Sequence, residues 1–155
     1  MKDMEDKYES LRLKNQLCFP LYLAAKEIVN NYACILSDLD LSYTQYVIMM
    51  YLWERESSNA KELSAALLLD PSTVTPILRK LEAKQYIKKE RSPLDERNII
   101  ITLTKTGREL QDKALSVPCC MRENIDLTDE ECIQLRDLLS KIIGSRKIGK
   151  NNIEQ

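Results

Sequence analysis

The chain has 155 residues, of which 44% are hydrophobic, and its formal net charge at pH 7 is −1. That length predicts one compact domain over residues 1–155, and the near-zero charge argues against a protein that coats nucleic acid. Five cysteines and no histidine are present, which excludes His-based catalytic triads and mixed Cys/His zinc sites. No two cysteines have CxxC spacing, and no apolar run reaches the roughly 20 residues that span a membrane. We therefore expect a cytoplasmic protein with reduced thiols, no membrane association, no metal and no cofactor.

The first predicted element is a long helix, because apolar residues keep a helical period from about residue 13 to residue 36. Pro20 leaves two possibilities open. Either the helix begins near Phe19 with the proline in its first turn, or it begins earlier and is kinked at the proline. A second helix then begins after Ser42, which has Gln45 as its capping-box partner.

The next stretch predicts a helix-turn-helix. Asn59, with Glu62 as its capping-box partner, begins a short helix. Asp70 and Pro71 begin another, since the Asp side chain accepts first-turn N–H groups and the proline needs no donor there. Its buried stripe consists of Val74, Ile77, Leu78 and Leu81. Its outward face consists of Ser72, Thr73, Thr75, Pro76, Arg79 and Lys80. Such a face lies in the major groove in helix-turn-helix proteins, although an ordinary helix with a solvated face shows the same pattern.

A basic hairpin follows the helix-turn-helix. Two β-prone runs, residues 86–91 and 98–103, are joined by a segment with turn-forming Pro and Asp. Between residues 79 and 97 seven basic residues face four acidic ones, a local net charge of +3. The predicted fold is thus mainly α with a small β-hairpin wing (α+β), a winged helix-turn-helix over residues 42–104. A wing can place an arginine in the minor groove, and Arg91 is among the candidate DNA-binding residues.

The helices at the two ends of the chain predict a dimer. Thr104 caps a helix after the wing, and Thr128, with Glu131 as its partner, caps the last helix. Both terminal regions have more apolar face than one small winged domain can cover. We expect a homodimer in which residues 13–38 and 105–143 of two chains pack together. The alternative is that these helices fold onto their own chain.

Cys18 is the candidate reactive residue. It lies near the N-terminus of the first helix, where the helix dipole and unpaired N–H groups favour the thiolate that attacks peroxides. Tyr22 lies one turn away and Tyr32 further along, and phenolic hydroxyls can donate hydrogen bonds to a thiolate. From the residues alone, a lone cysteine on an apolar helix is more often a small buried hydrophobe. Cys34 and Cys132, on or beside apolar stripes, are interpreted as core or interface fillers.

The segment from Asp95 to Gly107, DERNIIITLTKTG, resembles the wing signature of the MarR transcription regulators. The resemblance covers about residues 11–143, nearly the whole chain. It implies a dimeric winged-helix repressor with Arg97 at the wing tip, in the minor groove, and Asp95 as its buttress.

The sequence NQLCF around Cys18, followed by Tyr22 and Tyr32, is similar to the organic-hydroperoxide-sensing (OhrR-like) branch of that family, as are the segments LSYTQY and LWE. This similarity implies that Cys18 is the redox sensor, that the two tyrosines hydrogen-bond to it across the dimer, and that its oxidation releases the operator. In two-cysteine members the sensor forms a disulfide with a cysteine near the end of the other subunit's fifth helix. Cys119 and Cys120 both lie in that region, as candidate resolving residues or as surface thiols without a role.

The resulting prediction is a repressor without enzymatic activity that binds a pseudo-palindromic operator in double-stranded DNA and is released by organic hydroperoxide, with or without an intersubunit disulfide. A second hypothesis keeps the DNA binding but makes a small aromatic or lipophilic ligand in the dimer pocket the signal, with the cysteines incidental. A third hypothesis, a thiol peroxidase, is disfavoured because no cysteine has a Pro-x-x-x-Thr-x-x-Cys setting.

Overall fold

The structure is a computed structural model that describes residues 7–93 and 98–151, with side chains as far as residue 144. The described chain is mainly helical with one small antiparallel sheet, which confirms the predicted fold class. It divides into two compact units, Met1–Met121 and Arg122–Gln155. That residues 1–155 act as a single domain, with the DNA-binding region at 42–104, stays a prediction.

The helices are, in chain order, α1 (Cys18–Ile35), α2 (Tyr43–Arg55), α3 (Ala60–Leu67), α4 (Pro71–Ala83), α5 (Lys105–Lys113), α6 (Val117–Glu123) and α7 (Asp129–Asn151). The strands are β1 (Ser57–Asn59), β2 (Ile87–Arg91) and β3 (Ile99–Leu103). Short 3₁₀ turns lie at Glu9–Leu11, Leu13–Asn15, Ser37–Leu39 and Ala114–Ser116. Helices α3 and α4 are the predicted helix-turn-helix, and β2 and β3 are the predicted hairpin.

The start of α1 decides between the two possibilities that Pro20 left open. The helix begins at Cys18, so Pro20 is its third residue. A proline is tolerated there because the first N–H groups of a helix have no intrahelical acceptor. The residues before Cys18 form the two short 3₁₀ turns, so the helix does not extend back to Leu13.

Four of the predicted N-caps are present. The backbone N–H three residues on donates to the cap oxygen of Ser42 (3.4 Å), Asn59 (2.9 Å), Thr104 (3.0 Å) and Thr128 (3.2 Å). The fifth prediction is wrong, since the side chain of Asp70 makes no cap hydrogen bond. Its backbone carbonyl accepts instead from the N–H groups of Thr73 and Val74, at 2.9 and 3.1 Å. The first turn of α4 is therefore closed by backbone alone.

The sheet contains one strand more than the predicted hairpin. β3 is central and pairs antiparallel with both β1 and β2. Ser57 lies opposite Thr102, and Arg91 lies opposite Ile99. β1 consists of three polar residues, so it has no hydrophobic alternation that the sequence could reveal.

The core of the first unit lies between α2, the helix-turn-helix and the sheet. Its largest fully buried side chains are Leu36, Ile48, Met49, Leu52, Leu63, Leu81, Ile87, Ile101 and Val74. By contrast, none of the 18 residues of α1 is buried, and neither is any described side chain of α7. Tyr32 and Ile35 of α1 pack against the core, but the other apolar side chains of both helices stay at least partly exposed in the described chain.

Candidate functional site

Helix α4 presents the predicted DNA-binding face to solvent. Val74, Leu78 and Leu81 are buried against the core. The six residues predicted for the outward face are all exposed: Ser72, Thr73, Thr75, Pro76, Arg79 and Lys80. Within the described residues neither basic side chain forms an ion pair. Both charges are therefore available to phosphate oxygens.

The first half of this face combines hydroxyl groups, a carbonyl without its usual helical donor, and apolar surface. Pro76 has no N–H, so the carbonyl of Ser72 lacks its usual donor from the next turn. The hydroxyl of Thr75 donates to the carbonyl of Pro71 at 3.0 Å, which leaves its oxygen lone pairs facing outward. A major groove offers amino donors and thymine methyl groups to such a surface.

Both lysines of the hairpin are engaged within the protein. Lys88 pairs with Glu90 at 3.0 Å, and Lys89 pairs with Glu82 at 2.6 Å. Arg91, at the end of β2, is exposed, and the ion pairs found in the described ranges do not include it. The predicted wing-tip residues Asp95 and Arg97 lie outside the described residues, so their roles stay predictions.

Lys84 has a structural role that the sequence did not reveal. Its ammonium group pairs with the carboxylate of Asp40 at 3.1 Å and donates to Gln45 Oε1 at 3.3 Å and to the Asp40 carbonyl. Nearby, the hydroxyl of Tyr86 donates to the carbonyl of Leu39 at 3.2 Å. Burial, and then the charge of Asp40, raise the pKa of Tyr86. These contacts tie the end of α4 to the connector between α1 and α2.

Cys18 is the first residue of α1, and it is exposed. The interpretation of this cysteine as a small buried hydrophobe is therefore wrong for the described chain. Tyr22, one turn along, is 62% exposed. Tyr32 is fourteen residues from Cys18 on the same helix, a distance of about 21 Å at 1.5 Å per residue. The Tyr32 hydroxyl is therefore beyond hydrogen-bonding reach of the Cys18 of its own chain.

Tyr32 belongs to an aromatic cluster between α1 and α2. Its ring centroid lies 4.7 Å from that of Tyr43 and 5.9 Å from that of Tyr46. Burial, followed by the neighbouring Tyr43 and Tyr46, raises the pKa of Tyr32, so the phenol is protonated at neutral pH and can donate. Sequence reasoning missed Tyr43, which lies in the LSYTQY segment. Its contact with Tyr32 depends on how α1 packs on α2.

The other cysteines are distributed over three helices. Cys119 and Cys120 are adjacent on α6, and both are exposed. Cys34 is exposed on α1, so it does not fill the core of the described chain, and Cys132 is half-buried on α7. Cys119 and Cys120 both remain candidates for the predicted resolving residue.

An open groove of about 590 Å³ lies beside the end of α4. Val29, Asn30 and Ala33 of α1 form one wall, and Lys80 and Lys84 reach the groove from α4. This groove is one feature of the described chain that is consistent with the ligand-responsive hypothesis, which placed its ligand in a dimer pocket.

Comparison with known proteins shows which family and which relatives this chain is similar to. The family model for the transcriptional regulator SarA/Rot matches residues 30–114. The chain is 35% identical over 140 residues to the organic hydroperoxide resistance transcriptional regulator of Bacillus subtilis (strain 168), covering 90% of this chain and 95% of that protein.

Several solved structures of transcriptional regulators are similar to this chain. Reduced AbfR bound to DNA has a TM-score of 0.78 and 28% identity, over 91% of this chain and 96% of that chain; AbfR is a protein of Staphylococcus epidermidis. Overoxidised AbfR bound to DNA has a TM-score of 0.72 and 30% identity, over 89% of this chain and 98% of that chain. Disulfide-formed AbfR has a TM-score of 0.61 and 28% identity, over 100% of both chains. Wild-type MarR of E. coli has a TM-score of 0.67 and 22% identity, over 82% of this chain and 96% of that chain. At that identity the likeness supports the fold alone. Within the described residues, no helix has the length and apolar character to cross a membrane.

Proposed function

The chain belongs to the SarA/Rot family of MarR-like transcriptional regulators, and from that premise we propose that it is a DNA-binding repressor controlled by oxidation of Cys18. The predicted resemblance to the MarR family is thereby confirmed. The observation that carries the proposal is the position of Cys18. It is an exposed thiol at the first position of a helix with no buried residue, in a chain whose α4 displays a polar and basic face.

The DNA-binding form is proposed to be a homodimer. Exposed apolar side chains on α1 include Leu17 (next to its first residue), Phe19, Leu23 and Val29. Those on α7 are Ile133, Leu135, Leu138, Ile142 and Ile143. Burial of such faces against a second copy is favourable by about 25 cal/mol per Å². Two copies related by a two-fold axis would place two α4 helices in successive major grooves of a pseudo-palindromic operator, with Arg97 of each wing in the flanking minor groove.

The proposed redox step has two stages. The Cys18 thiolate attacks one peroxide oxygen of an organic hydroperoxide. The O–O bond breaks, the alcohol leaves with a proton, and the sulfur becomes a sulfenic acid. The thiol of Cys119 or Cys120 of the partner subunit then attacks that sulfur, which forms a disulfide and releases water. Tyr22 and Tyr32 are proposed to donate hydrogen bonds to the reacting sulfur, Tyr32 from the partner's helix.

The disulfide-bonded form is a better candidate than an overoxidised form for the state that releases DNA. Structures of the relative AbfR are described as bound to DNA in both the reduced and the overoxidised form, and separately as disulfide-formed. By analogy, a cross-link that fixes two α1 helices against two α6 helices would change the spacing of the α4 helices. A hundredfold loss of operator affinity needs only about 2.7 kcal/mol.

The protein is proposed to consume hydroperoxide once for each sensor rather than as an enzyme, and to act in the cytoplasm, where an operator would lie. A DNA-binding titration of wild type and Cys18→Ser, before and after organic hydroperoxide, tests the proposal. The Cys18→Ser protein should stay bound to DNA after organic hydroperoxide is added.

The second candidate function is a regulator released by a small ligand, which the groove beside Lys80 and Lys84 favours. A ligand there would contact both α1 and the end of α4. A Cys18→Ser protein that still releases DNA when a small aromatic acid is added would support this function over the redox one.

A further inference from the structure

Trp53 connects two parts of the molecule that the proposed switch must link. It is the chain's single tryptophan, on α2 and half-buried. Its indole ring meets the ring of Tyr46 edge to face, with centroids 6.2 Å apart, and Tyr46 lies 5.9 Å from Tyr32. Its indole N–H donates a 2.9 Å hydrogen bond to the carbonyl of Gly107. One side chain thus contacts the tyrosine cluster on one side and the first turn of α5 on the other.

The first turn of α5 is the base of the wing. Tyr86 immediately precedes β2, and Thr104 immediately follows β3. The backbone N–H of Thr104 donates to the carbonyl of Tyr86 at 3.1 Å, and the Thr104 hydroxyl donates to the carbonyl of Gln85 at 2.6 Å. A Cβ at Gly107 would lie 1.9 Å from that Tyr86 carbonyl oxygen. The two ends of the hairpin and the Gly107 turn are therefore in direct contact and cannot shift independently.

We propose that Trp53 is a positioning residue that transmits oxidation at Cys18 to the wing. The inference rests on the proposed function, in which Tyr32 contacts the sensor. When the sensor sulfur changes its bonding, the ring of Tyr32 moves. Because close-packed interiors transmit displacement rather than absorb it, Tyr46 and Trp53 pass the movement to the carbonyl of Gly107.

The wing amplifies that movement. Each of its strands has five residues, about 17 Å at 3.4 Å per residue. A small rotation at the base therefore displaces the far ends of β2 and β3 by several times the shift at Gly107. Loss of one DNA contact from each wing of a dimer is enough to lower affinity measurably.

Trp53→Phe is the variant that separates transmission from packing. Phenylalanine keeps a ring against Tyr46 but removes the donor to Gly107. Tyr51→Phe is the matched control, because Tyr51 lies on the same helix, packs against the same core and makes no hydrogen bond among the described residues. Affinity is measured for a duplex that the reduced wild type selects from random-sequence DNA, before and after cumene hydroperoxide, and circular dichroism checks that each variant is folded.

Allosteric couplings typically change affinity by about 5- to 150-fold. We expect a loss of about 100-fold for oxidised wild type and Tyr51→Phe. For Trp53→Phe we expect reduced-state binding close to wild type and a loss of less than about 10-fold on oxidation. An equal loss in all three proteins overturns the role of Trp53 and leaves the redox repressor intact. If the wild type still binds DNA after oxidation, the role of Trp53 and the redox repressor are both overturned.

The single tryptophan gives a second measurement that needs no variant at position 53. If Trp53 transmits the change, hydroperoxide shifts its emission in wild type and does not shift it in Cys18→Ser. Unchanged emission in a wild type that has released its DNA contradicts the proposal, even where Trp53→Phe fails to fold.

Discussion

The carbonyl oxygen of Tyr86 closes the space beside Gly107 and would lie only 1.9 Å from a Cβ at that position. Backbone atoms make this contact, so no side-chain rotation can relieve it. The glycine has an ordinary helical conformation, and its requirement is for space rather than for a left-handed φ. The close approach of strand end and helix turn fixes where the wing leaves the body of the protein.

Gly107→Ala should therefore lower the free energy of unfolding by about 1–3 kcal/mol or more, the usual cost of overpacking a tight site. Gly144→Ala is the matched control, since a Cβ there meets nothing within 4 Å. In a helix that change should be neutral or stabilising by up to about 1 kcal/mol. Urea unfolding of both variants measures the difference, and equal stabilities would show that the Gly107 turn relaxes freely.

Arg79→Ala should weaken DNA binding by about 1–3 kcal/mol and lower the salt dependence of affinity by about one unit of slope, as expected when one phosphate contact is lost. Lys113→Ala removes an exposed charge from α5, outside the proposed DNA-binding residues, and should leave both quantities close to wild type. Fluorescence anisotropy at several salt concentrations provides the measurement. An unchanged slope for Arg79→Ala would place that side chain away from the phosphates.

Alkaline pH should destabilise the protein through phenols that folding removes at least partly from water. The pKa of Tyr86 is raised by burial first and by Asp40 second, and those of Tyr32 and Tyr46 are also raised, mainly by burial. The folded state therefore holds these protons more tightly than the unfolded state. The associated stability is fully present below about pH 10, the ordinary tyrosine value, and is lost as pH rises through the raised pKa values.

Tyr86→Phe should lessen that alkaline loss of stability and should cost about 0.5–1.5 kcal/mol near neutral pH, because the hydrogen bond to Leu39 is removed. Unfolding by urea between neutral pH and pH 11 compares the two proteins. A variant whose free energy of unfolding falls as steeply as that of wild type would refute the contribution of Tyr86.

The resolving cysteine should be identified by single substitutions. If one of the two adjacent thiols on α6 bridges to the sensor, either Cys119→Ser or Cys120→Ser should abolish the covalent dimer that organic hydroperoxide produces, and the other should not. Non-reducing gels and peptide mass analysis decide between them. A covalent dimer that survives in the double variant would exclude both residues from the bridge.

Local chemistry in the sequence predicted most of the fold. Four N-caps, the α4 stripe and the hairpin follow from spacing and side-chain type, and the structure has them where they were predicted. Strand β1 was missed because its residues are all polar and its pairing with β3 is set by tertiary contact. The side chain of Asp70 was assigned a cap that the backbone supplies without it.

The candidate site was predictable as residue types but not as contacts. Cys18 and the α4 face could be identified from spacing and family resemblance. The contacts Lys84 to Asp40, Tyr32 to Tyr43 and Trp53 to Gly107 join residues between 11 and 54 positions apart. Such pairs depend on how helices pack, and periodicity within one helix carries no information about them.

The most direct test of the redox account is a titration of DNA with wild type and Cys18→Ser, before and after a stoichiometric organic hydroperoxide, with non-reducing gels run on the same samples. The account predicts that wild type releases DNA and becomes a covalent dimer while the mutant does neither. If both proteins hold DNA with or without the oxidant, Cys18 is not the sensor and the redox account is contradicted.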